Sequence, residues 1–301
     1  VGSGVGVKIG ITANPNKPPA LALARRAIAQ IGGRAELCFS SETAAGIGGA
    51  VSSVPLEELE ADVLVGIGGD GTFLYALQHC GVPLLPVHAG TVGFLAEVDG
   101  DRTDSFDAAL ERLLSGEYFV ENRMKLAAQV AGANLPDATN ELVVHTSQVA
   151  KMRHFEIAVD GRPIGRIRAD GVILATPTGS TSYALSALGP IVEPTVEAIL
   201  IAALAPFQVT QRAVLVDPLR TVSIRVVAPE KEAVIVVDGQ SEHRLAPGEP
   251  LRAYRSPRKA SFVRFGSRFF RRLRGKRILP WVEEPPFPTV EEDGVDLPPS
   301  T

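Results

Sequence analysis

Cysteine is almost absent from the chain: Cys38 and Cys80 are the only two in 301 residues. Two thiols so far apart make neither the close pairs of metal clusters and redox motifs nor a disulfide framework, and both are expected to be buried. Long apolar runs are also missing. No stretch of about 18 apolar residues occurs, and the N-terminus lacks the charged-then-apolar order of a secretion signal. No membrane association is expected, and the default location is the cytoplasm. Excess positive charge is absent too. A net charge of -4 gives no basic field to hold nucleic acid. The locally basic stretch Arg268 to Arg277 reads as compensation for the acidic residues that follow it. No fixed repeat period occurs, which excludes propellers and solenoids. No His, Asp or Cys cluster stands at metal-ligand spacing, so no permanent protein-bound metal is expected.

What is present is apolar content of 45% with 21% charge, enough for a real core and two domains of ordinary size. Over the first hundred residues, short β-branched runs alternate with amphipathic stretches, the pattern of strands and helices around a parallel sheet. Strands are predicted at 7–12, 63–67 and 84–87. Helices are predicted at 19–31, ending at Gly32-Gly33, and at 72–79 and 106–114. From Lys125 to Phe265 the pattern changes to many short alternating runs broken by Asp160-Gly161, Asp170-Gly171 and Asp238-Gly239, each a turn signal. Helical interruptions are predicted at 180–187 and 195–205. The expected division is an N-terminal α/β domain at 1–116, a β-rich domain at 117–265, and a C-terminal segment at 266–282 packing back on the first domain. The acidic, proline-rich tail at 283–301 is expected to be disordered. The glycine-rich first five residues are expected to fray, and the missing initiator methionine points to an engineered or a processed start.

The most informative segment is Val63 to Leu74, where a hydrophobic strand enters Gly68-Gly69-Asp70-Gly71-Thr72 and then a helix. Glycines at a strand-to-helix turn let main-chain N–H groups approach phosphate, and the helix N-terminus favours negative charge. Asp70 in the middle repels phosphate unless it has a task, such as holding a metal or taking a proton from an attacking hydroxyl. The plainer reading is that Asp70 caps the helix. No lysine follows the last glycine, and three spaced glycines are lacking, so the loop is neither a Walker loop nor a dinucleotide fingerprint. A second strand, in Asp170 to Ala175, ends in a hydroxyl-rich turn. There Thr178, Ser180, Thr181, Ser182 and Ser186 can bond ribose or phosphate or cap a helix, and Tyr183 offers a flat face. A third signal is Asn140-Glu141, an amide beside a carboxylate that can read an adenine edge or a ribose diol.

In this order the three segments resemble the NAD kinase family, whose hallmarks are a GGDGT loop, an NE motif and a glycine- and threonine-rich segment. The similarity extends through Gly90-Thr91-Val92-Gly93-Phe94-Leu95, Leu188-Gly189-Pro190-Ile191-Val192 and Val237-Asp238-Gly239-Gln240, covering roughly residues 7 to 280. The resemblance implies a Rossmann-like α/β domain and a mainly-β domain with the nucleotide cleft between them. It implies transfer of the terminal phosphoryl of ATP or polyphosphate, with Mg2+ carried by the nucleotide, to the 2′-hydroxyl of the adenosine ribose of NAD. Asp70 then resembles the general base, and Gly68, Gly69 and Gly71, with Thr72 and Phe73, the phosphate loop. Asn140 and Glu141 look like the adenosine contacts, and Thr181, Ser182, Tyr183, Ala184, Leu185 and Ser186 like the segment wrapping them, with Thr178 just before. Asp170 matches a residue near the nicotinamide end. Lys151, Arg168 and Gln240 stand where further dinucleotide contacts are expected. The family is generally oligomeric, which implies a homodimer or a tetramer.

Three departures from the family pattern stand out. Ser182 replaces a frequent alanine, Leu188 a common glycine, and Pro206-Phe207-Gln208-Val209 lacks the usual polar residues. The last leaves NAD against NADH open. The choice among ATP, another triphosphate and polyphosphate is open as well. The rivals are a lipid kinase with a similar loop, disfavoured by the polar downstream segment, and a non-catalytic dinucleotide sensor, disfavoured by Asp70.

Overall fold

In the computed structural model the first hundred residues alternate strand and helix as their patterning predicts. The order is β1 (Lys8–Ala13), α1 (Pro18–Ile31), β2 (Glu36–Ser40), α2 (Ser41–Ile47), β3 (Ser53–Val54), β4 (Val63–Gly68), α3 (Asp70–His79), β5 (Leu84–His88), β6 (Val98–Asp99) and α4 (Thr103–Ser115). The structure describes residues 7–48, 51–90, 93–208, 210–227, 231–266, 269–276 and 278. The expected frayed start, the acidic tail from 283, and Thr91, Val92 and Val209 lie outside them. Strands β4 and β5 are buried at every position, as parallel strands covered on both faces must be. Helix α1 starts with proline in its first turn and stops at Gly32 in the left-handed conformation (φ 34°). Its Ala20, Ala24, Ala27 and Ile31 form the stripe laid on the sheet. The two cysteines are free and buried, and burial pushes both thiols up in pKa.

The second half is almost entirely strand. It comprises β7 (Phe119–Val130), β8 (Ala133–Ala138), β9 (Glu141–Thr146), β10 (Arg153–Val159), β11 (Arg162–Ala169), β12 (Gly171–Ala175), α5 (Tyr183–Ser186), β13 (Ile199–Leu204), β14 (Val214–Val216), β15 (Val222–Val226), β16 (Ala233–Val237), β17 (Ser241–Leu245) and β18 (Pro250–Arg264), followed by α6 (Phe269–Gly275). One sheet runs β11-β10-β15-β18-β5-β4-β1-β2-β3, with β6 on β5, and with β7 pairing both β18 and β8. The other is an antiparallel sheet, β14-β13-β12-β9-β16-β17. The long β18 pairs β15 near its start and meets β5 in parallel at Phe262 and Leu84, so the first sheet is continuous from the N-terminal strands into the β-rich half. Two compact units result, Val1–Phe265 and Gly266–Thr301, and in the second Phe269 and Phe270 stack edge to face at 5.2 Å.

Two local expectations are corrected. The helix predicted at 195–205 is instead strand β13, paired on both sides by β12 and β14. Ile199 and Ile201 enter one core and Leu200, Ala202 and Leu204 another. Burial on both faces erases the alternation that marks a strand, and a short apolar run then looks helical. Asp170-Gly171 is not a hairpin turn. There the chain leaves β11 in one sheet for β12 in the other, with Gly171 between His145 and Leu204. The other two signals do turn hairpins, with φ of 49° and 75° at Asp160 and Gly161, and 49° and 66° at Asp238 and Gly239.

Candidate active site

Strand β4 delivers the glycine loop to the carboxyl edge of the parallel strands, where ligands of open α/β sheets bind. Gly69 is the N-cap of α3 and Asp70 its first residue. Asp70 does not cap the helix. Its carboxylate accepts N–H of Phe94 (2.8 Å) and of Leu95 (3.3 Å), from the segment after β5. Gly93 lies so close that a Cβ there would overlap the Asp70 carboxylate, which is why that position in Gly-Phe-Leu tolerates no side chain. Gly69, Gly71 and Thr72 of the loop, with Asn14, Lys17, Glu42, Tyr75 and Gln240, line a cavity of about 480 Å3, within the range that takes a nucleotide-sized ligand; Asp70 stands between two of these lining residues and is not itself in the lining. Asn14 Nδ2 reaches Thr72 Oγ1 at 3.4 Å, and Lys17 Nζ reaches the Ala89 carbonyl at 3.5 Å. Phe73 points away from the cavity into the core and is fully buried.

The second cluster forms where β8 turns into β9. Asp238, at the tip of the β16–β17 hairpin, accepts three main-chain N–H groups, from Thr139 (2.7 Å), Asn140 (2.8 Å) and Glu141 (3.0 Å). Burial pushes the Asp238 carboxyl up in pKa, and these three donors pull against it. Glu141 is pushed up to about 8, first by burial and then by the charge of Asp238, against the Ser182 hydroxyl that donates to it at 3.2 Å. Three buried polar atoms here, Thr139 Oγ1, Asn140 Oδ1 and Glu141 Oε2, have no protein partner. Buried polar atoms left unpaired are costly, so this corner is chemically prepared for a polar ligand. The same hairpin carries Gln240, whose Nε2 donates to the Gly71 carbonyl at 3.4 Å. One turn therefore ties the glycine loop to the Asn140–Glu141 corner.

The remaining residues singled out from the sequence divide. Ser182 and Tyr183 sit at the Glu141 corner, with Tyr183 exposed, Ala184 buried, Leu185 half-buried and Ser186 exposed. Thr178 is buried, and its carbonyl accepts the Thr181 hydroxyl at 3.2 Å. Ser180 bonds Pro177 and Val192 and is structural. Arg168 lines a different cavity, of about 420 Å3, with His154 and Gln208, and its guanidinium lies over the Phe207 ring at 4.9 Å. Asp170 is half-buried at the sheet switch; its N–H donates to Leu204 and its carbonyl accepts from Thr146. Lys151 is exposed and lines neither cavity. Sequence reasoning missed Lys17, Asn14 and the bracing role of Asp238. The signal for the first two was their place in Asn14-Pro15-Asn16-Lys17, the loop leaving the carboxyl end of a parallel strand.

A parallel sheet that presents a carboxylate-bearing glycine loop, tied by a hairpin to a buried polar corner in a β-rich half, defines a nucleotide-dependent phosphotransferase. Comparison with known proteins narrows the class. Residues 51–118 match the ATP-NAD kinase N-terminal domain and residues 139–265 the ATP-NAD kinase C-terminal domain. The NAD kinase of Thermoplasma volcanium is 39% identical over 243 residues, 81% of this chain and 88% of that protein. That of Thermococcus sibiricus is 42% identical over 217 residues, 71% and 77% of the two chains. An NAD kinase from Archaeoglobus fulgidus, solved in complex with ATP, superposes with a TM-score of 0.71 at 28% identity, covering 89% of this chain and 97% of that one. A yeast NADH kinase complexed with NADH shares the fold, with a TM-score of 0.82 at 22% identity over 97% and 95% of the two chains. The chain belongs to the NAD kinase family.

Proposed function

We propose that the chain transfers the terminal phosphoryl of magnesium-ATP to the 2′-hydroxyl of the adenosine ribose of NAD, with Asp70 as the general base. The observation that carries this reading is the Asp70 carboxylate, held by two main-chain amides at the head of the phosphate loop instead of serving as a cap. Asp70 takes the 2′-hydroxyl proton as the oxygen bonds the terminal phosphorus, and the bond to the leaving diphosphate breaks in line. Lys17 and the loop amides bind the donor phosphates. The divalent cation arrives on the triphosphate and neutralises charge there. Asn140 and Glu141, with Ser182 and Tyr183, hold the adenosine; Gln240, Asp170, Arg168 and Lys151 contact the rest of the dinucleotide. Inorganic polyphosphate is the alternative donor, since the loop meets the same terminal group.

The proposed setting is a cytoplasmic homo-oligomer. Buried free thiols suit a reducing compartment, and no described helix is long and apolar enough to cross a membrane. Exposed Ile164 on β11 and Val214 and Leu215 on β14 supply apolar area for self-association. Light scattering after size exclusion checks the assembly, and cell fractionation the location.

The deciding experiment follows NADP formation from NAD and magnesium-ATP with an NADP-specific dehydrogenase, Asp70→Asn run in parallel. Wild type making NADP while the variant falls by about 10² to 10⁴ supports the reading. No NADP from NAD with ATP or polyphosphate, and no NADPH from NADH, removes it.

A further inference from the structure

His88 closes β5 and is paired in register with Gly68 of the phosphate loop strand on one side and with Asp99 of β6 on the other. It is 1% exposed, and neither of its ring nitrogens has a hydrogen-bond partner. A neutral imidazole carries one donor and one acceptor, so two buried and unpaired nitrogens leave both unmet. Nδ1 faces an Asp99 carboxylate oxygen at 3.8 Å, too far for a hydrogen bond. Asp101 brings a second carboxylate, and one ligand atom from each of the three residues lies within 4.8 Å of the others. Ligands 2.0–2.1 Å from a tetrahedral ion stand about 3.4 Å apart, so a shift of roughly an ångström in the two carboxylates closes the set. The turn itself is fixed. Gly100 N–H donates to the His88 carbonyl at 3.0 Å, Asp101 N–H donates to Asp99 Oδ1 at 3.1 Å, and a Cβ on Gly100 would overlap the His88 carbonyl.

We propose that His88, Asp99 and Asp101 bind one divalent first-row transition ion of the zinc type, with water completing its coordination. An imidazole with two carboxylates suits such an ion better than Mg2+, which prefers oxygen ligands alone and keeps its waters. This is a second ion, separate from the one that travels on the nucleotide, and the assignment is independent of the proposed function. Its place suggests what it does. Ala89 N–H donates to the Gly68 carbonyl at 2.9 Å and the Ala89 carbonyl receives Lys17. An ion clamping the turn after β6 to the end of β5 therefore braces the strand that backs the phosphate loop. The ligands at 88, 99 and 101 come from a strand end and a separate turn, which is why no ligand spacing shows in the sequence.

The test uses the full chain, stripped with a chelator and dialysed, then titrated with ZnCl2 by calorimetry in the absence of nucleotide. The expected result is one equivalent per chain, a rise in melting temperature on loading, and Co2+ substitution giving a visible d–d spectrum. Asp101→Asn changes an exposed residue and should leave the apo melting temperature unchanged while weakening Zn2+ at least tenfold. His88→Asn should abolish the Co2+ spectrum. Asp70→Asn should bind Zn2+ as wild type does. No stoichiometric binding overturns the proposal, as does binding that Asp101→Asn and His88→Asn leave intact or that Asp70→Asn removes.

Discussion

A carboxylate at the first position of a helix ordinarily gains from the exposed N–H groups and the macrodipole there. Asp70 has that place but turns its oxygens to Phe94 and Leu95. Removing its charge while keeping its shape should therefore separate binding from chemistry. Asp70→Asn is expected to lower kcat by about 10² to 10⁴ with KM for NAD little changed, which steady-state kinetics checks. Lys17 should show the opposite split. Lys17→Ala loses a charge-assisted bond to phosphate and is expected to raise KM for ATP about tenfold or more, leaving KM for NAD alone. Asp70 was legible in the sequence because glycines on both sides of a carboxylate are a local contradiction. Lys17 was not, because a lone lysine in a loop becomes informative only when β1 and β4 lie side by side.

The β16–β17 hairpin is the element that joins the two halves of the site. Its Asp238 gathers three amides and its Gln240 reaches Gly71, so the tip orders the Asn140–Glu141 corner relative to the loop. Asp238→Ala leaves three buried N–H groups without their acceptor. The expected cost is about 2–5 kcal/mol in urea denaturation, together with a higher KM for NAD. A variant as stable as wild type would remove the bracing role. Strong period or turn chemistry made the elements legible, as in α1 with its proline start and glycine stop and in the Asp238-Gly239 turn. β13 was hidden because both of its faces are covered. The Asp170-Gly171 switch was hidden because a chain leaving one sheet for another carries the residues of a turn.

Over the whole molecule, the return of β18 to β5 was the feature local pattern could not supply, since the pairing of Phe262 with Leu84 spans most of the chain. That closure places buried carboxylates in the same structure as the core, so their protonation bears on global stability. Glu141 carries the clearest signature, with its pKa raised from 4.5 to about 8, chiefly by burial and then by Asp238. A carboxyl whose pKa is higher folded than unfolded makes the folded state hold a proton the unfolded chain releases. Its contribution is complete below about 4.5, declines through the window up to about 8, and is gone above it. Glu141→Gln keeps the shape and cannot ionise. Its unfolding free energy should match wild type near pH 4.5 and exceed it at pH 9 by an amount on the order of a few kcal/mol. Urea titrations at several pH values measure this directly. Parallel curves for the two proteins would mean that Glu141 is ionised in the folded state, with its unpaired Oε2 compensated by a partner other than a proton.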